Sequence, residues 1–122
     1  MIGLWVALAG GLGAAARFTL DGFLTQHNHR GLPIATLTIN VLGSFLLGLL
    51  TGWAGHDGHE LVRSIAGVGF LGGFTTFSTA SVELVRLTRA ERPLAAAGLA
   101  VAMIMLSLTM CLLGLTLGQL VG

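Results

Sequence analysis

The polar residues of this sequence suit binding of an ion better than chemistry upon it. Thr36, Asn40, Gly43 and Ser44 recur at i, i+4, i+7 and i+8, which is one face of a helix. A second set follows Gly72-Gly73: Thr75, Thr76, Ser78, Thr79 and Ser81, interleaved with Phe74 and Phe77. Hydroxyls and a carboxamide are neutral donors. They can replace the water around a small anion without trapping it by charge, the compromise that conduction needs. The sequence holds no nucleophile–base pair, no phosphate loop and no metal-ligand cluster, so an enzyme is not expected. Two readings of Asn40 stay open, an interhelical hydrogen bond and a donor facing an ion path. Phe77 likewise either packs or turns its partly positive ring edge to an anion.

The elements that must hold these residues are membrane helices. Of 122 residues 54% are hydrophobic and 9% charged, and the mean hydropathy is +0.90. A soluble domain carries roughly 25% charged residues. A span needs roughly 20 apolar residues, so the length allows about four spans and no soluble domain. The expected spans are about 2–20, 34–54, 61–87 and 94–121, one membrane domain over 1–122. Met1 to Leu20 lacks the basic start of a signal peptide. In the first span Gly3, Ala7 and Gly11 repeat at four-residue spacing, as do Gly10 and Ala14, so helix backbones can approach closely. Gly114 and Gly118 do the same in the last span, where Ser107 and Thr109 face a polar track or bond their own backbone. In the third span Gly72-Gly73 is the expected break, because glycine weakens a helix. A break frees carbonyls near the bilayer midplane, and such carbonyls coordinate small cations in transporters.

Several residues invite sharper readings. Arg17, near the expected end of span one, either snorkels to the interface or serves as a vestibule or packing anchor. Glu83 falls near the end of span three, sharing a face with Thr79; Ala80 shares one with Phe77. His27, His29, His56 and His59 read as loop residues, since no carboxylate or cysteine cluster accompanies them. Cys111 cannot form an internal disulfide and reads as packing. The net charge of +1 does not suggest nucleic-acid binding.

The run Gly72-Gly73-Phe74-Thr75-Thr76-Phe77-Ser78-Thr79-Ala80-Ser81 resembles the third-helix motif of the CrcB/Fluc fluoride channel family. Gly10-Gly11-Leu12-Gly13-Ala14-Ala15-Ala16-Arg17-Phe18 is similar to its first-helix motif. Thr36-Leu37-Thr38-Ile39-Asn40-Val41-Leu42-Gly43-Ser44-Phe45 is similar to its second. Glu83 follows the third-helix run at the matching place. The resemblance implies an all-α membrane protein of four transmembrane helices, the third broken near the midplane, paired as an antiparallel dual-topology dimer with two pores. It implies passive, fluoride-selective export that relieves cytoplasmic fluoride toxicity across a bacterial inner membrane. By the same resemblance Asn40 is the pore asparagine, and Thr36, Ser78 and Thr79 belong to the polar track. Phe77 is the first of two pore phenylalanines. Gly72 and Thr75 supply backbone carbonyls to a structural Na+ ion.

Ala80 departs from that pattern, which has the second pore phenylalanine there. Each pore of the family takes one ring from each subunit, so a homodimer of this chain would lack a ring in both pores. A complete partner would restore one. With four spans, Arg30, Arg86, Arg89 and Arg92 fall on one side, with Arg17 near it, and Arg63 on the other. The positive-inside rule then places the first and third loops in the cytoplasm. Such bias fits one half of a heteromeric pair. Two rival readings are a dual-topology drug exporter, which needs a carboxylate in the first span that is missing here, and a non-conducting partner subunit.

Overall fold

Hydrocarbon offers no partner for a bare N–H or C=O, so a chain this apolar folds into helices that bond their own backbone. The computed structural model describes residues 2–26, 34–55 and 59–121, and leaves the side chains of 77–79 undescribed. All its regular elements are helical: α1 (Ile2–Gln26), α2 (Ile34–Trp53), α3 (Glu60–Val62), a π-helical segment (Arg63–Leu71), α4 (Gly72–Phe74), α5 (Phe77–Arg89) and α6 (Pro93–Val121). Among the described residues, α1, α2 and α6 are long and apolar enough to cross a membrane. At 1.5 Å per residue they measure roughly 38, 30 and 44 Å, so each is long enough to cross a hydrocarbon core of about 30 Å, with length to spare in α1 and α6. The chain is a multi-pass membrane protein.

The first helix runs past the expected end of its span, from Leu20 to Gln26. Asp21 and Thr25 end the apolar stretch without ending the helix: Thr25 Oγ1 donates to Asp21 Oδ1 at 3.2 Å one turn away. Arg17 therefore lies inside a helix rather than at its tip.

The most extensive packing joins α2 to α6, and glycines make it possible. A Cβ on Gly48 or Gly52 would strike the carbonyls of Cys111 and Leu115. A Cβ on Gly114 or Gly118 would strike those of Phe45 and Leu49. The two Gly-x-x-x-Gly pairs thus face each other, and the helices touch backbone to backbone as small residues allow. Cys111, a free thiol, enters this contact through its backbone carbonyl.

The segments from Glu60 to Phe74 form one rod, since Val62, Leu71 and Gly72 all have right-handed helical backbone. Its middle is wound one residue wider, and the Gly72 N–H bonds the Gly67 carbonyl. Periodicity gave no sign of this π-helical stretch. The rod lies on α1 through a second glycine contact. Gly13 meets the Phe70 backbone, and Gly73 meets the backbone of Gly10.

The last turn of α5 closes in a Schellman arrangement. Glu91 N–H bonds Thr88 O at 3.2 Å and Arg92 N–H bonds Leu87 O at 3.0 Å, with Glu91 at φ 60°. That left-handed position is one glycine fills most easily. Pro93 then opens α6, where a missing N–H has no cost.

Candidate ion-binding site

The two glycines expected to break the third helix are helical; Gly72 has φ −62°, ψ −39°. The backbone turns extended three residues later, at Thr75 (φ −81°, ψ 159°), and becomes helical again at Phe77. Gly73 is needed for close approach instead, against α1 as described. Extended backbone between two helices leaves peptide groups that must find other partners.

Asn40 supplies them. Its Oδ1 accepts the Thr76 N–H at 2.9 Å, and its Nδ2 donates to the Thr76 carbonyl at 2.9 Å. One side-chain amide thus pairs both polar groups of one peptide residue, as a neighbouring strand would. The orientation is forced, because the flipped carboxamide would set donor against donor. Nδ2 also reaches Met103 Sδ at 3.6 Å. The adjacent turn of α2 makes room: a Cβ on Gly43 would strike the Thr75 methyl. Thr75 folds its hydroxyl back onto Leu71 O at 3.0 Å. Between the two readings of Asn40, the interhelical bond is realised, and it is made to the interrupted backbone itself.

In an unbroken helix the Thr76 N–H would bond Gly72 O; here it goes to Asn40. The Gly73 carbonyl accepts from Arg17 Nε at 3.4 Å, so Arg17 anchors α1 to the rod. Backbone carbonyl oxygens such as those of Gly72 and Thr75 are hard donors, of the kind a small cation requires.

One turn before Asn40, Thr36 is 1% exposed and donates to Glu83 Oε1 at 2.9 Å. Among the described residues, the second Glu83 oxygen is buried without a hydrogen-bond partner. Thr36, Asn40 and Gly43 therefore all meet the segments on either side of Thr75, from one face of α2. Ser44 belongs to the same face and lines a cavity of about 460 Å³ with Asn40, Thr75, Thr76, Ala80, Met103 and Ser107. Ala80 is buried and borders the space that Asn40 faces.

Phe77, Ser78 and Thr79 open α5 by their backbone; their side chains lie outside the described part of the structure, as do His27, His29 and His56. His59 does more than cap a loop. Its ring lies 4.8 Å from that of Trp53, with Nδ1 buried and, among the described residues, without a hydrogen-bond partner. Thr109 bonds its own backbone, donating to Met105 O at 2.7 Å, whereas Ser107 faces the cavity. Met103 was not singled out by its type, since a methionine in an apolar helix resembles any packing residue. Its position one turn before Ser107 was the available signal.

The profile described as "CrcB-like protein, Camphor Resistance (CrcB)" matches residues 4–118. The chain belongs to the CrcB-like family. Among curated relatives, this CrcB-like chain is 50% identical over 121 residues to "Fluoride-specific ion channel FluC 1" of Leifsonia xyli subsp. xyli, covering 98% of this chain and 88% of that one. It is 57% identical over 51 residues to "Fluoride-specific ion channel FluC 2" of Cutibacterium acnes, 42% of each chain. It is 48% identical over 62 residues to "Fluoride-specific ion channel FluC" of Renibacterium salmoninarum, covering 46% of this chain and 49% of that one.

Proposed function

We propose that this chain is a subunit of a fluoride-selective channel that lets cytoplasmic fluoride leave a bacterium passively and so limits its toxicity. Fluoride enters cells as the neutral acid, ionises and departs down its gradient. Membership in a family whose curated relatives are called fluoride-specific ion channels carries this reading. The site agrees in character: the neutral donors Asn40, Ser44, Thr75, Thr76 and Ser107 border one cavity, on a face of α2 that holds no basic side chain to trap an anion.

In this reading Glu60–Arg89 is the third of four spans, interrupted at Thr75, and two subunits pair antiparallel. Asn40 is the pore donor, with Thr36, Ser78 and Thr79 continuing the polar track and the Phe77 ring edge facing the anion. Arg17 and Glu83 brace the two sides of the interruption. Gly72 and Thr75 would hold a structural Na+ through backbone carbonyls. Its positive charge would neutralise carbonyl dipoles at the subunit contact.

A second reading is favoured by Ala80. A small side chain borders the cavity where the family pattern has a phenylalanine, so the working unit is a heterodimer with a paralogous subunit that carries the ring. Alone, this chain is then a half-functional or non-conducting partner. Fluoride efflux from proteoliposomes separates the possibilities. Efflux from the purified chain alone at full channel rate removes the need for a partner. Efflux that appears only with a paralogue establishes the heteromeric unit. A paralogue that conducts equally with and without this chain rejects its role as a channel subunit.

A further inference from the structure

The Asn40 carboxamide has two amide protons, and only one is committed to the Thr76 carbonyl. The pairing with Thr76 fixes the plane of the amide, so the direction of the second N–H is fixed as well. The Met103 thioether lies 3.6 Å from Nδ2, within reach of that second proton. Sulfur of this type is a weak acceptor. Met103 and Asn40 line the same cavity, and Ser107 stands one turn beyond Met103 on α6. The donor is thus neither orphaned in an apolar surrounding, which would be costly, nor consumed by a strong bond.

We propose that Met103 is a positioning residue for the anion: its thioether parks the free amide proton of Asn40 in a weak bond that an anion in the cavity displaces. The proposal rests on the fluoride-channel reading. A strong acceptor at position 103 would hold the proton against the anion. An alkyl group would release it altogether. The thioether lies between these extremes, matching at one atom pair the general need for binding that is favourable yet easily reversed.

Two nearly isosteric variants and one oxidation test this. In proteoliposomes holding the conducting unit, Met103→Gln supplies an amide oxygen and lowers fluoride efflux about tenfold, the equivalent of one well-made hydrogen bond. Met103→Leu removes the acceptor and raises efflux about twofold. Peroxide converts the thioether to a sulfoxide and is itself reduced to water; the new S=O is a strong acceptor. Peroxide therefore slows the wild type and leaves Met103→Leu at its own rate. Met103→Gln at the wild-type rate overturns the proposal. So does Met103→Leu slowed as much as Met103→Gln, because the side chain then matters only as packing. Equal slowing of wild type and Met103→Leu by peroxide also overturns it. A second readout does not require flux. Fluoride shifts the Asn40 side-chain ¹⁵NH₂ resonance in the wild type and not in Met103→Gln. If no variant conducts but this pattern holds, the channel reading fails and the role of Met103 stands; if fluoride moves the resonance equally in both, the role of Met103 fails.

Discussion

Helix α2 makes two contacts of opposite kind. Towards α6 it presents Gly48 and Gly52, and the two backbones touch through reciprocal glycines. Towards the interrupted rod it presents Thr36, Asn40 and Gly43, and the contact is made by hydrogen bonds to Glu83 and Thr76. The first contact depends on removing side chains, the second on placing particular ones. Lipid tails are as apolar as leucine, so close packing rather than hydrophobic burial must hold the first together. The second exists because an extended peptide in hydrocarbon would otherwise lack partners. A close-packed seam on one side thus leaves the other side of α2 to carry the polar groups.

The two contacts should fail in different ways. The largest effect is expected at the clamp. Asn40→Asp loses the donor to Thr76 and sets a negative charge in the anion path. Two like charges about 4 Å apart at an effective dielectric near 20 repel by about 4 kcal/mol, roughly a thousandfold in rate. Fluoride efflux from proteoliposomes should fall to background, and unchanged efflux would remove Asn40 from the path.

The seam should respond in stability. Gly114→Ala drives a methyl into the Phe45 carbonyl and should cost about 1–3 kcal/mol, the usual range for overpacking. Denaturant titration in detergent reads this directly; a cost near zero would mean that α2 and α6 separate easily. Thr36→Val strips Glu83 of the hydrogen bond that Thr36 donates and should cost about 1–2 kcal/mol, within the range for an abandoned buried polar group. The same titration checks it, with Glu83→Gln in the Thr36→Val background expected to restore part of the loss. The smallest effect belongs to Gly98, which has nothing within 4 Å of where its Cβ would be. Gly98→Ala should stabilise by about 0.5–1 kcal/mol through helix propensity alone. A large loss at Gly98 would reveal a close partner on that face of α6.

Legibility in the sequence followed the same division. Glycines at four-residue spacing announced the packing of α6, because the motif depends on spacing alone. The polar face of α2 was legible for the same reason: Thr36, Asn40, Gly43 and Ser44 lie along one stripe. What each polar side chain would bond was not legible, since Thr76 and Glu83 lie 36 and 47 residues away in the chain. The interruption expected over Gly72 to Thr75 falls at the far end of that stretch, at Thr75. Gly72-Gly73 looked weak by propensity, yet both glycines are helical, and Gly73 packs on the Gly10 backbone of α1. The backbone leaves the helix where Asn40 can satisfy it. Arg17 was read against a span ending at Leu20, and the longer α1 turned it from an end residue into a brace on Gly73. Met103 escaped notice because its use depends on the exact direction of another residue's amide proton.

Fluoride and chloride efflux, measured side by side from liposomes containing this chain with a phenylalanine-bearing paralogue, test the central claim most directly. The neutral-donor path around Asn40 predicts rapid fluoride efflux that exceeds the paralogue's own and chloride efflux no faster than from empty liposomes. Chloride leaving as fast as fluoride, or fluoride efflux unaffected by the presence of this chain, would contradict it.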